Sequence, residues 1–510
     1  MALLSQSPHL VGQDVLGLTS PTRGLRTAGR HFSQIFLGRD REITTTPVDI
    51  SKSLRLHTLT PYSMLQDVPC INNLLPVEII GEIFRHYVFD VNPDPINGYS
   101  RITAHAGART SAITLCHVCS YWRTLAFSIS SLWSSLCVIW PKMGYVHLVR
   151  LWLEKSRSRP LSLDLTQHHS SEEHDIVAMR QILELCIATA PRWREISLSL
   201  THALQDMFCG LEEGSMEFLE SFDVGLSKWS QCRKNQLLNA FYSSPFLRRV
   251  EWSLFERALP ANLPWKQLSA VTLNCQSDSD EFFNVLSQCD QLEFLDVNVR
   301  LIVSASPTAH STFPLPNLFD LRLGMMSTKD LESLFDHLVL PQLAIIDMRY
   351  GFEDSSPQGW ISLRNLLSRS SCQLSTFTYS GCDFDEEELI STLTSFNLSP
   401  LVNLSLSIPI TDTIIDLLAY EKIRHGFPPL PLLRHLVFSN CQTSDGVLST
   451  FIDSRLSTLR SVELHLRGVS AYSNDLKAMK TFQQENLTIS IALYSEILRK
   501  LLLEGESLKW

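Results

Sequence analysis

Cys116-His117-Val118-Cys119 is the one C-x-x-C in the sequence, and two thiolates at that spacing supply half of a tetrahedral zinc site. No second pair follows and both cysteines fall in an apolar helical pattern, so they read as packed helix residues. His168, His169 and His174 sit in a Ser/Glu-rich loop without the H-E-x-x-H spacing that places two imidazoles on one helix face, and read as solvated. The chain has no G-x-S-x-G, no Gly-Lys dipeptide and no G-x-G-x-x-G, so the hydrolase, phosphate-loop and dinucleotide readings lack their minimum parts. The acidic run Asp383 to Glu388 opens a helical pattern, where carboxylates meet the positive end of the helix dipole and need no catalytic explanation. No metal, no cofactor and no catalytic residue is therefore expected. The expectation is a binding protein, not an enzyme.

The elements that must position such a binding surface are plentiful. At 510 residues and 44% apolar composition the chain can bury a large core, as a few domains or one repeat array. A net charge of -10 disfavours nucleic acid and anionic membrane as partners, since both require a basic surface. The 12 cysteines are dispersed, without the dense spacing of a small secreted framework, and read as buried apolar residues of a reducing compartment, cytoplasmic and/or nuclear. No uninterrupted apolar run reaches the roughly 18 residues of a membrane span. Residues 1–65 show no sustained period; they are Arg- and Ser-containing and nearly free of acids at the start, as transit peptides are, but read as a flexible leader.

Residues 66–140 read as a small helical domain. Ile80, Ile83, Phe84, Tyr87 and Val88 recur at helical spacing after Pro76 and Glu78, which suit a helix start. Leu115, Val118, Cys119, Trp122, Leu125 and Ala126 make a second stripe, with Arg123 outside it. Two helices this short cannot bury both stripes and a Trp alone, so exposed apolar surface is expected. Three pieces in order, Leu74-Leu75-Pro76-Val77-Glu78-Ile79-Ile80 with Ile83-Phe84, Val118-Cys119-Ser120-Tyr121-Trp122-Arg123, and Leu132-Trp133-Ser134-Ser135-Leu136, resemble an F-box domain of the kind abundant in mushroom-forming fungi. The resemblance implies docking on a Skp-family adaptor that bridges to a cullin. It also implies that Leu74, Pro76, Ile79, Ile83, Val118, Cys119 and Trp122 are the adaptor-facing or helix-packing residues. The linker from Asp90 to Ala112 is longer and richer in Pro, Gly and Asn than a minimal F-box turn.

From residue 141 to 510 the chain repeats. A helix over Tyr145 to Glu154 and a first strand over Pro160 to Leu165 lead into eleven L-x-x-L-x-L registers, from Trp193-Ile196-Leu198 to Leu459-Val462-Leu464. Their first positions are 21 to 32 residues apart, near the roughly 20 to 29 of leucine-rich repeats. Cys382 and Cys441 take the consensus Asn/Cys position. Between strands the period switches toward 3.6, as over Asp330 to Leu338, so each repeat reads as strand, turn, helix. The fold class expected is α/β: an N-terminal F-box-like helical domain, then a leucine-rich-repeat-type solenoid with its parallel sheet concave and its helices convex. A last strand over Leu487 to Leu493 and a capping helix over Ser495 to Gly505 close it.

Within each register the residue between the second and third apolar position points away from the core. Those positions run from Ser197 to Glu463 and include Asp223, Glu251, Asp296, Arg322 and Asp347; with Glu195, Arg249, Asp320 and Arg349 beside them they carry a net charge of -4. Stacked carboxylates repel, and a cationic partner relieves them, so the substrate expected here is a protein with a Lys/Arg-rich segment. The function expected is the substrate receptor of a Skp-cullin-F-box-type ubiquitin ligase; the alternative is a leucine-rich-repeat interaction scaffold outside ubiquitin chemistry.

Overall fold

One 15-stranded sheet runs through the molecule, and each of its strands bonds to the sheet strands that precede and follow it in the chain. The computed structural model describes residues 74–89 and 101–493, apart from 109, 168–172, 254–258, 261, 303–310, 325–326, 350–357, 382–383, 420–428, 467 and 483–486. The leader 1–65, the capping helix over Ser495 to Gly505, Cys382, His168 and His169, and most of the linker before Arg101 lie outside the described residues.

The strands are β1 (Arg101–Thr103), β2 (Ser135–Ile139), β3 (Leu161–Thr166), β4 (Trp193–Thr201), β5 (Ser221–Ser227), β6 (Arg249–Trp252), β7 (Ala270–Asp278) and β8 (Phe294–Ile302). They continue as β9 (Phe313–Pro314), β10 (Asp320–Gly324), β11 (Leu338–Val339), β12 (Ile345–Arg349), β13 (Thr376–Ser380), β14 (Asn403–Ile410), β15 (His435–Cys441), β16 (Ser461–Leu466) and β17 (Thr488–Leu493). β9 and β11 pair with each other outside the main sheet. All main-sheet pairings are parallel except β1 on β2.

Alternation explains why these segments are strands. In β14 (NLSLSIPI) the leucines and isoleucines are buried and the residues between them are not, and β3, β13 and β16 repeat that pattern. Helices then start where a small polar side chain caps free backbone N–H groups. Ser327 and Asp330 form a capping box, and the side chains of Asp278, Asp385 and Thr411 accept from the first turns of their own helices. The cap at Asp385 accounts for the acidic run that follows it.

The register is that of the L-x-x-L-x-L reading. Ser197, Asp223, Glu251, Thr272, Asp296, Arg322 and Asp347 pair in succession across β4 to β12, and the ladder continues through Thr378, Ser405 and Val437 to Glu463. Three expectations change. The sheet begins two strands before Leu161, because residues from the linker (β1) and from the third apolar piece (β2) join its edge. Strand, turn, helix is not universal: among the described residues, the β6–β7 connection holds only the short 3-10 turn Trp265–Gln267, since the 21-residue step there is the shortest. The stripe from Leu115 to Ala126 is two helices rather than one.

The N-terminal helices are α1 (Val77–Phe89), α2 (Ala112–Cys116) and α3 (Ser120–Ser128). They are fastened to the sheet by Trp133, which is fully buried, donates from Nε1 to Ala126 O at 2.8 Å, and meets Trp152 edge-on at 5.1 Å. Trp152 in turn donates to Ser135 O on β2 at 3.1 Å. Trp133→Ala is expected to cost about 3–5 kcal/mol at this junction. Limited proteolysis should then release the α1–α3 segment while fragments carrying β4–β17 survive; unchanged cleavage would show that the junction does not depend on this ring.

Candidate functional site

Helix α1 has two apolar faces. Ile80, Phe84 and Val88 point inward; Leu74 before the helix, and Val77, Ile79, Ile83 and Tyr87 on it, remain exposed. The reading that put Ile83 and Tyr87 on the buried stripe is corrected: Ile79, Ile83 and Tyr87 each precede a buried residue by one position, about 100° around the helix, and so form a second face beside Ile80, Phe84 and Val88. Pro76 ends the approach to the helix: its carbonyl accepts from the N–H groups of Ile79 and Ile80, both at 3.1 Å. Gly81 brings α1 close to the segment after α3, since a Cβ there would meet Ile129 Cδ1 at 3.3 Å.

The break between α2 and α3 exposes the next apolar residue. Cys116 is buried, and its thiol donates to Ala112 O at 3.4 Å; desolvation raises its pKa, and the Arg123 guanidinium lowers it in part. Cys119 instead caps α3, its sulfur accepting from the Trp122 N–H at 3.4 Å. Arg123 closes the corner from the other side, donating from Nε to Cys116 O at 2.8 Å. Val118, between the two caps, is 57% exposed, and Tyr121 is exposed beside it. Trp122 is half-buried, its ring 4.8 Å from that of Phe84, so it joins α3 to α1 as much as it faces outward. Of the 15 exposed large apolar side chains among the described residues, seven lie between Leu74 and Tyr121. The residues missed in the sequence are Val77, Tyr87 and Tyr121; their exposure depends on which helix face the sheet covers.

The second surface is the polar face of the sheet. All five expected contact residues, Asp223, Glu251, Asp296, Arg322 and Asp347, lie on one ladder. They are not a row of unrelieved carboxylates, because the chain supplies its own cations two residues along the same strands. Arg322 binds both oxygens of Asp320, at 3.2 and 2.9 Å, and lies 4.9 Å from the Phe294 ring centroid. Arg349 pairs with Asp347 in the same way, Arg249 reaches Glu195 at 2.8 Å across β5, and Asp223 accepts from Ser197 Oγ at 3.0 Å. Arginines of the chain itself thus hold Asp320, Asp347 and Glu195, and a hydroxyl holds Asp223.

Asp296 is the exception. It is 6% exposed, its Oδ2 has no hydrogen-bond partner, and burial pushes its carboxyl up to about 6. Arg349 and Arg322 pull that value down, while Asp347 and Asp320 push it up. The folded chain therefore holds this proton up to about pH 6, whereas the unfolded chain loses it near the ordinary aspartate value. The group costs stability above pH 6, and the cost fades as the pH falls toward 4. Asp296→Asn is expected to stabilise the protein at pH 7.5, by up to roughly 3 kcal/mol, and by clearly less at pH 5. Thermal melts at the two pH values measure this; an equal change at both would show that the carboxyl does not titrate in between.

Among the described residues no group of three or more His, Cys, Asp and Glu side chains is arranged to hold a metal ion. No described helix is long and apolar enough to cross a membrane. The chain matches no protein-family model and no curated protein.

Proposed function

We propose that this chain is the substrate-recognition subunit of a Skp-cullin-F-box-type ubiquitin ligase, acting in the cytoplasm and/or nucleus. Residues 66–140 are the F-box-like module that docks the adaptor, and the chain from 141 on is a leucine-rich-repeat-type solenoid whose polar face receives the target. The observation that carries this reading is the concentration of exposed apolar residues on α1 and at the α2–α3 corner. About 25 cal/mol is lost for each Å² of apolar surface left in water, so a face of this kind favours a partner. Leu74, Ile79, Ile83 and Val118 supply the contact surface, and Pro76, Cys119 and Trp122 hold its shape.

The second reading, a leucine-rich-repeat scaffold in which the helices only cap the sheet, draws on the Trp133–Trp152 junction and on β1 closing the sheet edge. Capping explains the buried faces of α1 and α3 but gives no reason for the apolar character of their outer faces.

Ile79→Asp with Ile83→Asp tests the choice, because both side chains already contact water and the double variant keeps Ile80, Phe84 and Val88 in the core. Capture of a purified Skp-family adaptor is expected to fall at least about 100-fold, as for the loss of two central apolar contacts, with the melting temperature unchanged. Equal capture by wild type and variant, or none by either, would reject the receptor assignment. Trp122→Ala is a poorer probe, since it also removes the ring packed on Phe84.

A further inference from the structure

The sheet repeatedly sets a carboxylate and a basic side chain two residues apart on one strand, as Asp320 with Arg322, Asp347 with Arg349, and Glu463 with His465. The last pair differs in its chemistry, because a guanidinium only donates whereas an imidazole has a second nitrogen that can accept. Glu463 Oε1 lies 2.8 Å from His465 Nε2, and a carboxylate only accepts, so the ring hydrogen belongs on Nε2 and the lone pair on Nδ1. Ser439 Oγ, on the adjacent strand β15, is 3.1 Å from that Nδ1 and is placed to donate its proton to it. Ser407 on β14 donates in turn to Ser439 Oγ at 3.2 Å, which occupies a lone pair and leaves the Ser439 hydrogen for the imidazole. A carboxylate, an imidazole and a hydroxyl bonded in that order are the parts of an activated serine.

The backbone singles out the same residue. Ser439 and His465 are the last pair of β15 and β16 before the register shifts, and Asn440, which follows Ser439, has a φ of 67°, in the left-handed region. A bulge of this kind bends its strand and re-aims the side chains beside it, and a non-glycine residue held in that conformation is a strain that collects at functional sites. Ser407, Ser439 and His465 are all partly exposed on the polar face. Beside Ser439 stand Val437, two residues back on β15, and Ser405 opposite Val437 on β14, small side chains that leave room for a short acyl chain.

We infer that Ser439 is a nucleophile for acyl transfer, with His465 as its general base, Glu463 as the positioning residue and a small, unhindered ester as substrate. Ser439 Oγ adds to the ester carbonyl carbon while its proton passes to His465 Nδ1, and the Glu463 carboxylate holds the imidazolium. The C–O bond to the alcohol then breaks, and the leaving oxygen takes the proton from Nδ1. Water adds to the acyl-serine with the same base, and the acid departs as Ser439 regains its proton. None of the residues proposed to dock the adaptor takes part, so this activity stands apart from the receptor assignment.

Full-length protein treated with a fluorophosphonate, which forms an O–P bond to an activated serine as fluoride leaves, is expected to gain a single adduct, and peptide mapping should place it on Ser439. With para-nitrophenyl acetate it should release one equivalent of nitrophenolate in a burst and then turn over steadily. Ser439→Ala should lose both signals. His465→Gln is expected to slow the labelling at least about 100-fold, as for loss of a general base. Glu463→Gln should slow it at least about tenfold, as for loss of the group that orients the base, and Glu463→Asp should recover most of that. Ser380→Ala, which deletes another hydroxyl from the same face, should label as the wild type does, and melting temperatures equal to that of the wild type show that the variants are folded. No adduct, an adduct on another residue, or equal labelling of wild type and folded His465→Gln overturns the inference and leaves the cluster as a polar ladder on the sheet. A burst without later turnover overturns the hydrolysis.

Discussion

Parallel pairing of strands in chain order imposes the constraint on which the rest depends. A strand in such a sheet satisfies its backbone N–H and C=O groups only through both neighbours, so no repeat is stable alone and the leucines of each must line up with those of the next. That alignment puts equivalent residues of successive repeats directly beside one another, which is why a single ladder runs from Ser197 to Glu463. The buried side of the same strands becomes one continuous apolar core from Ile80 to Ile489.

Stacking equivalent positions has an electrostatic consequence. Any acid at the outward position sits about 5 Å from its counterpart on the next strand, a distance at which like charges repel even with water on one side. The chain answers with arginines at the positions two residues away on the same strands, where they point out of the same face. Arg322 with Asp320 and Arg349 with Asp347 are two copies of that answer. Such pairs at a partly exposed surface contribute little to stability. They offset Asp320 and Asp347, while Asp296 between them in the sheet keeps a buried oxygen without a hydrogen-bond partner.

The same pairing rule leaves an unpaired edge at each end of the sheet. At the N-terminal end β1 runs antiparallel to β2 and occupies its free side, and Trp133 fills the space between the helices and the first repeats. An exposed parallel edge invites pairing with another chain, and an antiparallel closing strand prevents the array from growing in the same sense. The helices that this end supports turn one apolar face to the core and leave a second one in water.

Period-2 and period-3.6 patterns are local properties, and for that reason the repeat array was legible residue by residue. The strands, their register, the switch to helix at Asp330, Glu386 and Thr411, and the final strand near Leu487 all follow from which side chains must be buried within a few residues of one another. The resemblance of residues 71 to 136 to a docking module also rested on short runs read in order. What the sequence left open depends on contacts between distant segments. That linker residues Arg101–Thr103 join the sheet is set by the free edge of β2, whose paired residues Cys137 to Ile139 are distant in the chain. That Ile83 and Tyr87 face water and Phe84 does not is set by where Trp122 and Ile129 close against α1. And of the five acidic positions on the outward ladder, only packing decides that Asp296 is the one left buried with an unsatisfied oxygen, because the arginines beside it reach their own aspartates first.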